Sequence, residues 1–475
     1  MENFYITTTL PYVNAAPHLG FAWEIVTADI IARFARLQGK RVIFNTGSDE
    51  HGQKIFQKAA ELNLLPQAYT DKMAQPFKDL RESLGLSWTN FIRTTDENHV
   101  VAAQEFWRRC FENGDIYKKK YKVKYCVGCE MEKTESELID GHCPLHPNQD
   151  LEEREEDNYF FRFSRYQDKL LNLYAQNPDF VRGEGKMNEL KSFVSRGLQD
   201  FSISRVRKKM PWGIPVPDDD EQVMYVWFDA LVNYISTLGW PEADADWQEF
   251  WPGWQICGKD NLRQQAAMWQ AMLMSAGLPT SKGILVNGFI TVDGQKMSKS
   301  LGNVISPDDL IALYGREPTR FLLAGLPVLS GDADITSGRL YDFYTANLTN
   351  GLGNLASRLA KLASTCHTSW QLPAVKNCSA ALQRAMSRFD TSGALNVLIN
   401  EVATLDKKLS EQKPWLIKDV PQKIKVLEAL LASLRVIIFE LQIFMPETAV
   451  KLAEHFDQEE IAPLQPLFPR LAKPE

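Results

Sequence analysis

A chain that runs strand, tight turn and helix at its very start commits itself to an open α/β sheet. Phe4 to Leu10 reads as a short strand, and Ala22 to Gln38 reads as a helix. The helix carries Ile25, Ala28, Ala32 and Ala35 on one face, widened by Ile30, Ile31 and Phe34, and Gly39 supplies the stop. Between them lies Ala16-Pro17-His18-Leu19-Gly20-Phe21. In such a turn the first N–H groups of the helix point at whatever sits there, which favours phosphate. His18 adds a donor, and Gly20 lets a ligand approach the backbone.

The α/β pattern continues. Val42 to Asn45 reads as a buried strand ending at Thr46-Gly47-Ser48-Asp49-Glu50-His51-Gly52, where an open sheet would bind a ligand. A capping box opening the next helix is the other reading of that loop. Helices are expected over about 53–63, 67–85 and 97–113. After an interruption the pattern returns: Tyr225 to Tyr234 reads as a buried strand entering a helix. Trp254 to Asp260 reads as a strand ending in a glycine and an acid suited to ribose or phosphate, and Ile284 to Ile290 as the next strand. Gly294-Gln295-Lys296-Met297-Ser298-Lys299-Ser300 then offers two lysines and two hydroxyls on a loop. These could grip a triphosphate and neutralise charge on a leaving pyrophosphate, which gives His18 a partner.

The interruption has its own chemistry. Tyr117 to Tyr125 alternates basic and aromatic residues, like an exposed strand. It leads into Cys126-Val127-Gly128-Cys129, and Cys143-Pro144-Leu145-His146 follows after thirteen intervening residues. Three thiolates and one imidazole make a closed tetrahedral zinc set with no open position, hence a structural metal. His142 is a possible substitute ligand, but the CxxH spacing favours His146. Arg205 falls in a short polar strand, where a surface salt bridge is the default reading. The last third lacks strand alternation and carries amphipathic stretches over about 338–365, 379–391, 393–411 and 422–443.

Composition sets outer bounds. At 475 residues the chain suggests about three domains, and 44% hydrophobic with 24% charged residues suits a globular fold. The most apolar run, Leu430 to Met445, is broken by Arg435 and Glu440, so no membrane span is expected. Met1-Glu2-Asn3 lacks the features of a signal peptide, and seven scattered cysteines point to a reducing cytoplasm. A net charge of −7 is no global signature of nucleic-acid binding, yet it leaves room for a local basic groove.

His18-Leu19-Gly20 together with Lys296-Met297-Ser298-Lys299-Ser300 resembles the two signatures of class I aminoacyl-tRNA synthetases. With Leu10-Pro11-Tyr12, Asp49-Glu50-His51-Gly52, the cysteine knuckle and Trp227-Phe228-Asp229-Ala230, the resemblance narrows to the methionyl-tRNA synthetase family and covers nearly the whole chain. It implies a Rossmann-type α/β catalytic domain, split into 1–115 and 215–290. Between the halves lies a connective peptide over 116–214 with the zinc knuckle. A loop and stem-contact segment over 291–337 and an all-α anticodon-binding bundle over 338–475 complete the chain. The implied enzyme is an ATP-dependent ligase that activates methionine and transfers it to tRNA. Its cofactors would be structural Zn2+ on Cys126, Cys129, Cys143 and His146, and ATP with Mg2+. ATP would meet His18, Gly20, Glu24, Gly258, Asp260, Lys296, Ser298 and Lys299. The catalytic set would be His18, Lys296, Lys299 and Arg205, the last near the reacting carboxylate. Asp49 would hold the amino acid's ammonium, with Leu10, Tyr12, Trp227, Ala230, Tyr234 and Gln265 around its side chain. Asn354, Arg358 and Trp415 would read a CAU anticodon by hydrogen bonding and stacking. With no dimerisation domain after Leu467-Phe468-Pro469-Arg470, a cytoplasmic monomer is expected.

Three positions depart from the family pattern. Phe21 stands where a second histidine is usual, and it has no donor. Gln265 stands where a histidine is usual beside the substrate side chain, and a glutamine could favour a more polar one. Asn287 also replaces a common histidine. Two other functions therefore stay open: a paralogue adenylating a different amino acid, possibly for a non-tRNA acceptor, and a catalytically weakened RNA-binding paralogue.

Overall fold

The computed structural model describes residues 2–473 except 129–130, 134–137, 243–245, 293, 297–304 and 330. At its centre is a six-stranded sheet, parallel throughout, in the order Asn90–Arg93, Arg41–Ser48, Asn3–Thr7, Trp254–Gly258, Gly283–Asn287 and Val181–Arg182. Strand alternation feeds two cores. Ile6, Phe44, Ile256 and Leu285 face one; Tyr5, Ile43, Cys257 and Ile284 face the other. The chain builds outward from Asn3–Thr7 in one direction, then returns to add Trp254–Gly258 on the opposite side. That reversal opens a crevice beyond the carboxyl ends of the strands.

The helix Leu19–Leu37 has 15 buried residues, because the sheet covers one side and later helices cover the other. Asp29, on its far side, is completely buried. It accepts 2.7 Å bonds from Arg33 and Arg320 and 2.6 Å bonds from the Ser87 backbone and hydroxyl. Arg320 also donates to the carbonyls of Phe444 and Leu84, so one buried cation ties the first helix to the C-terminal helices.

The insertion is built on antiparallel strands Ile116–Cys126 and Glu152–Phe161, paired from Ile116 with Phe161 to Tyr125 with Glu152, with the cysteine knuckle beyond that end. Its Val181–Arg182 segment also supplies the edge of the central sheet. The C-terminal region is helical: Asn354–Ser364, Ala380–Ser387, Thr391–Gln412, Val420–Leu441 and Pro446–Phe456 close around a leucine-rich core. The expected helix over 338–365 is interrupted by a wide π stretch, Thr345–Gly353. Gly351 leaves helical geometry there, at φ −88° and ψ −105°. Among the described residues no helix is long and apolar enough to cross a membrane.

One expectation needs correction. Tyr225 to Tyr234 is not a strand entering a helix. The strand is Asp219–Met224, and helix Val226–Leu231 follows with a further turn, Asn233–Ser236. Asp219–Met224 is the middle strand of a three-stranded antiparallel sheet, between Pro215–Val216 and Ser204–Val206, and the apolar run after it coils inward as a helix that buries Val226, Phe228 and Leu231.

Candidate active site

Six separate segments meet at the crevice around a cavity of about 760 Å3. Its wall includes Leu10, Tyr12, His18, Gly20, Glu24 and Asp49 from the first half of the sheet. Trp227, Ala230, Tyr234, Gly258, Asp260 and Gln265 come from the second half. All twelve are among the residues expected at the site, though they lie up to 255 positions apart in the chain (265 less 10).

His18 closes the amino end of its helix. Its Nδ1 accepts from the Phe21 N–H at 3.2 Å, which puts the ring proton of the neutral imidazole on Nε2. Phe21 is 5% exposed and packs edge-on against Phe77, with ring centres 5.7 Å apart, yet it also lines the cavity. An aromatic core contact thus occupies the place of the missing donor.

Glu24 is buried one turn further on. Its Oε1 accepts from the Thr9 N–H at 2.8 Å and the Thr9 hydroxyl at 2.6 Å. Burial pushes its carboxyl up to about 8, and the nearby Asp260 charge adds to this against the Thr9 bonds.

Asp49 continues the second strand. Its N–H donates to the Pro11 carbonyl at 2.9 Å, and its carbonyl accepts from Val13 at 3.1 Å, so the two strand ends that carry Tyr12 and Asp49 are zipped together. The loop does not form a capping box: Gly52 precedes helix Gln53–Glu61, with no side-chain cap. Glu50 is instead buried under Arg93, which donates to it at 2.7 and 2.8 Å, and under the Ser48 and Thr95 hydroxyls at 2.6 Å.

Gln265 lies in the π turn Gln264–Met268 and is 2% exposed. Its carbonyl accepts from Gln255 at 2.8 Å and its amide donates to the Tyr234 hydroxyl. The protein itself engages both ends of the amide, so the argument for a polar substrate side chain loses its force. Asn287 is 2% exposed, and neither polar atom of its side chain has a hydrogen-bond partner among the described residues.

Other expected residues lie elsewhere. Arg205 is buried away from the cavity wall, with its guanidinium 4.0 Å from the Tyr225 ring centre and donating to Ser202 and Ser204 at 2.7 Å. Lys296 ends the short strand Gln295–Lys296; its side chain, with Ser298 and Lys299, lies outside the described residues. Asn354 is exposed at the start of its helix, Arg358 pairs with Asp406, and Trp415 is 47% exposed on a turn after Pro414.

Cys126, Cys143 and His146 converge with their donor atoms within 4.8 Å of one another, Cys126 Sγ lying 3.8 Å from His146 Nδ1. Cys129 lies outside the described residues. Two thiols and an imidazole in a buried cluster fit a thiophilic divalent metal, and His142 is not part of it. The Lys54 ammonium, at the cavity wall, donates to the Gly128 carbonyl in this knuckle. Sequence reading did not single out Lys54, Thr9 or Asn233 as cavity residues. Nor did it find that Asp229 binds His51 and His99, because nothing in the spacing of single histidines signals a shared partner.

Comparison with known proteins matches residues 4–154 and 133–360 to the family model described as tRNA synthetases class I (M). A methionine–tRNA ligase of Thermosynechococcus vestitus is 42% identical over 469 residues, covering 94% of this chain and 88% of the relative. One from Rickettsia typhi is 38% identical, covering 100% and 96%. Among solved structures, the Mycobacterium tuberculosis methionyl-tRNA synthetase in complex with methionyl-adenylate superposes with a TM-score of 0.91. It is 35% identical and covers 99% of this chain and 100% of that one.

Proposed function

The chain belongs to the class I tRNA synthetases of the methionine type, and we infer that it is a methionine–tRNA ligase working at this cavity. In the first step an oxygen of the methionine carboxylate attacks the α-phosphorus of ATP. The bond to the β-phosphate breaks, releasing pyrophosphate and leaving methionyl-adenylate. In the second step a terminal ribose hydroxyl of tRNA attacks the acyl carbon, and AMP departs. The protein's part is to position the reactants and to stabilise charge as it moves to the leaving group.

The observation that carries this reading is the convergence of Tyr12, His18, Asp49, Trp227 and Asp260 on one cavity at the sheet's point of reversal. The reading assigns the ammonium to Asp49, and the thioether side chain to Leu10, Tyr12, Trp227, Ala230, Tyr234 and Gln265. It assigns adenosine to Glu24, Gly258 and Asp260, and the phosphates with their Mg2+ to His18 and Gly20, joined by Lys296, Ser298 and Lys299. Arg205 receives no catalytic role, because Tyr225 and its own strand hold it. Zinc is assigned to Cys126, Cys143 and His146 with Cys129, where it would cross-link the knuckle without entering the reaction. A CAU anticodon is assigned to Asn354, Arg358 and Trp415.

ATP–pyrophosphate exchange with each amino acid singly, then charging of a CAU tRNA, tests the reading. Exchange should depend on methionine and charging should follow. Exchange with another amino acid, or with none, refutes it.

A further inference from the structure

Asp229 lies in helix Val226–Leu231, between two residues of the cavity wall, Trp227 and Ala230. At helical spacing 227 and 230 share a face, and 229 points to the other side. There its carboxylate is fully buried and bridges two buried histidines. One oxygen lies 2.6 Å from His51 Nδ1, the other 2.8 Å from His99 Nε2. His99 in turn meets the Ser236 hydroxyl at 2.9 Å. His51 follows Asp49 by two residues, and Trp212 braces the same loop by donating its indole N–H to the Glu50 carbonyl at 2.6 Å.

Neither Asp229 nor His51 nor His99 lines the cavity. A buried carboxylate is costly unless its oxygens are satisfied, so this cluster holds one arrangement of the chain far better than any other. Burial alone would raise the Asp229 carboxyl; His51 and His99 outweigh it and hold it below its ordinary range.

We propose that Asp229 is a positioning residue for amino acid recognition. Through His51 it fixes the loop carrying Asp49 against the helix carrying Trp227 and Ala230, so the ammonium site and the side-chain pocket keep one spacing. This rests on the assignment of Asp49 and Trp227 to methionine. The adenosine and phosphate residues His18, Glu24 and Gly258 stand on other elements, so loosening the clasp acts on one substrate and spares the other. Groups that hold a ligating residue from behind commonly cost at least about 10-fold when removed.

The test uses Asp229→Asn, which can accept only one of the two ring N–H groups, together with His51→Ala and His51→Asn. Methionine affinity is read by tryptophan fluorescence without ATP, and both KM values by exchange. Asp229→Asn and His51→Ala should weaken methionine binding and raise its KM about 10-fold, with KM for ATP moving less than about two-fold. His51→Asn, whose amide can still donate to Asp229, should recover most of the loss. A merely structural role would instead lower stability and the active fraction and leave methionine affinity unchanged, which overturns the proposal. So does a parallel rise in both KM values, or an Asn variant no better than Ala. If Asp229→Asn does not fold, the two His51 variants decide alone. Should the unaltered chain fail to bind methionine, the functional assignment falls; binding in that chain with unchanged variants sinks only the clasp.

Discussion

His18 has two jobs in this structure, and a pair of substitutions should separate them. Its Nδ1 caps the helix Leu19–Leu37 through the Phe21 N–H, at 3.2 Å, while the residue also lines the cavity. Asparagine caps helices well but is too short to reach a phosphate from the same place. His18→Asn should therefore leave stability within a few tenths of a kcal/mol and lower the exchange rate by about 10²–10³, the usual cost of one transition-state donor, roughly 2.7–4 kcal/mol. His18→Ala should show the same loss of rate and, in addition, about 1 kcal/mol lost from stability with the cap. Methionine-dependent exchange gives the first number and urea unfolding at pH 7 the second. Exchange within about five-fold of the unaltered chain for His18→Asn would refute the phosphate role. Equal stability of the two variants would refute the capping role.

Glu24, raised from near 4.5 to about 8 chiefly by burial, should contribute stability that is complete below its ordinary value and lost as pH rises through 8; a Glu24→Gln chain should lack that part of the decline between pH 5 and 9, and parallel profiles would count against it. Asp29 is the opposite case: burial opposes ionisation, but Arg320 and Arg33 outweigh it and bring its carboxyl down to about 2. Its contribution, about 2.5 kcal/mol, is present above pH 4 and disappears as pH falls toward 2. Asp29→Ala, which leaves Arg320 buried and unpaired, should cost about 3–5 kcal/mol in urea unfolding; a loss under about 1 kcal/mol would mean that Arg320 finds other partners. The knuckle should hold one zinc ion per chain by metal analysis, released by Cys143→Ser together with a lower melting temperature, and unchanged metal content would exclude Cys143 as a ligand.

The amino-acid sequence by itself determined the elements whose signals are local. A strand, a turn with His18 and Gly20 and a helix can be read in order because each rests on neighbours within a few positions. The CxxC and CxxH spacing likewise names its own chemistry, and three of those four donors do converge. The twelve cavity residues were named through the resemblance to a family rather than by local signals, and the fold brings them to one cavity wall. What the tertiary structure decided lies in side chains whose meaning depends on a distant partner. Arg205 looked catalytic by likeness, but its surroundings turn it toward Tyr225. Phe21 looked like a defect and proves to be packed against Phe77, 56 positions along the chain (77 less 21). Gln265 looked like a polar wall and has both amide ends bound by Gln255 and Tyr234. Asp229 stood in the sequence only as one letter of Trp227-Phe228-Asp229-Ala230, and its bridge was not legible, since a buried carboxylate between two histidines needs three segments to meet before it exists. Periodicity and spacing reach only as far as the next turn of chain, whereas the burial that sets charge and hydrogen bonding is a property of the assembled core.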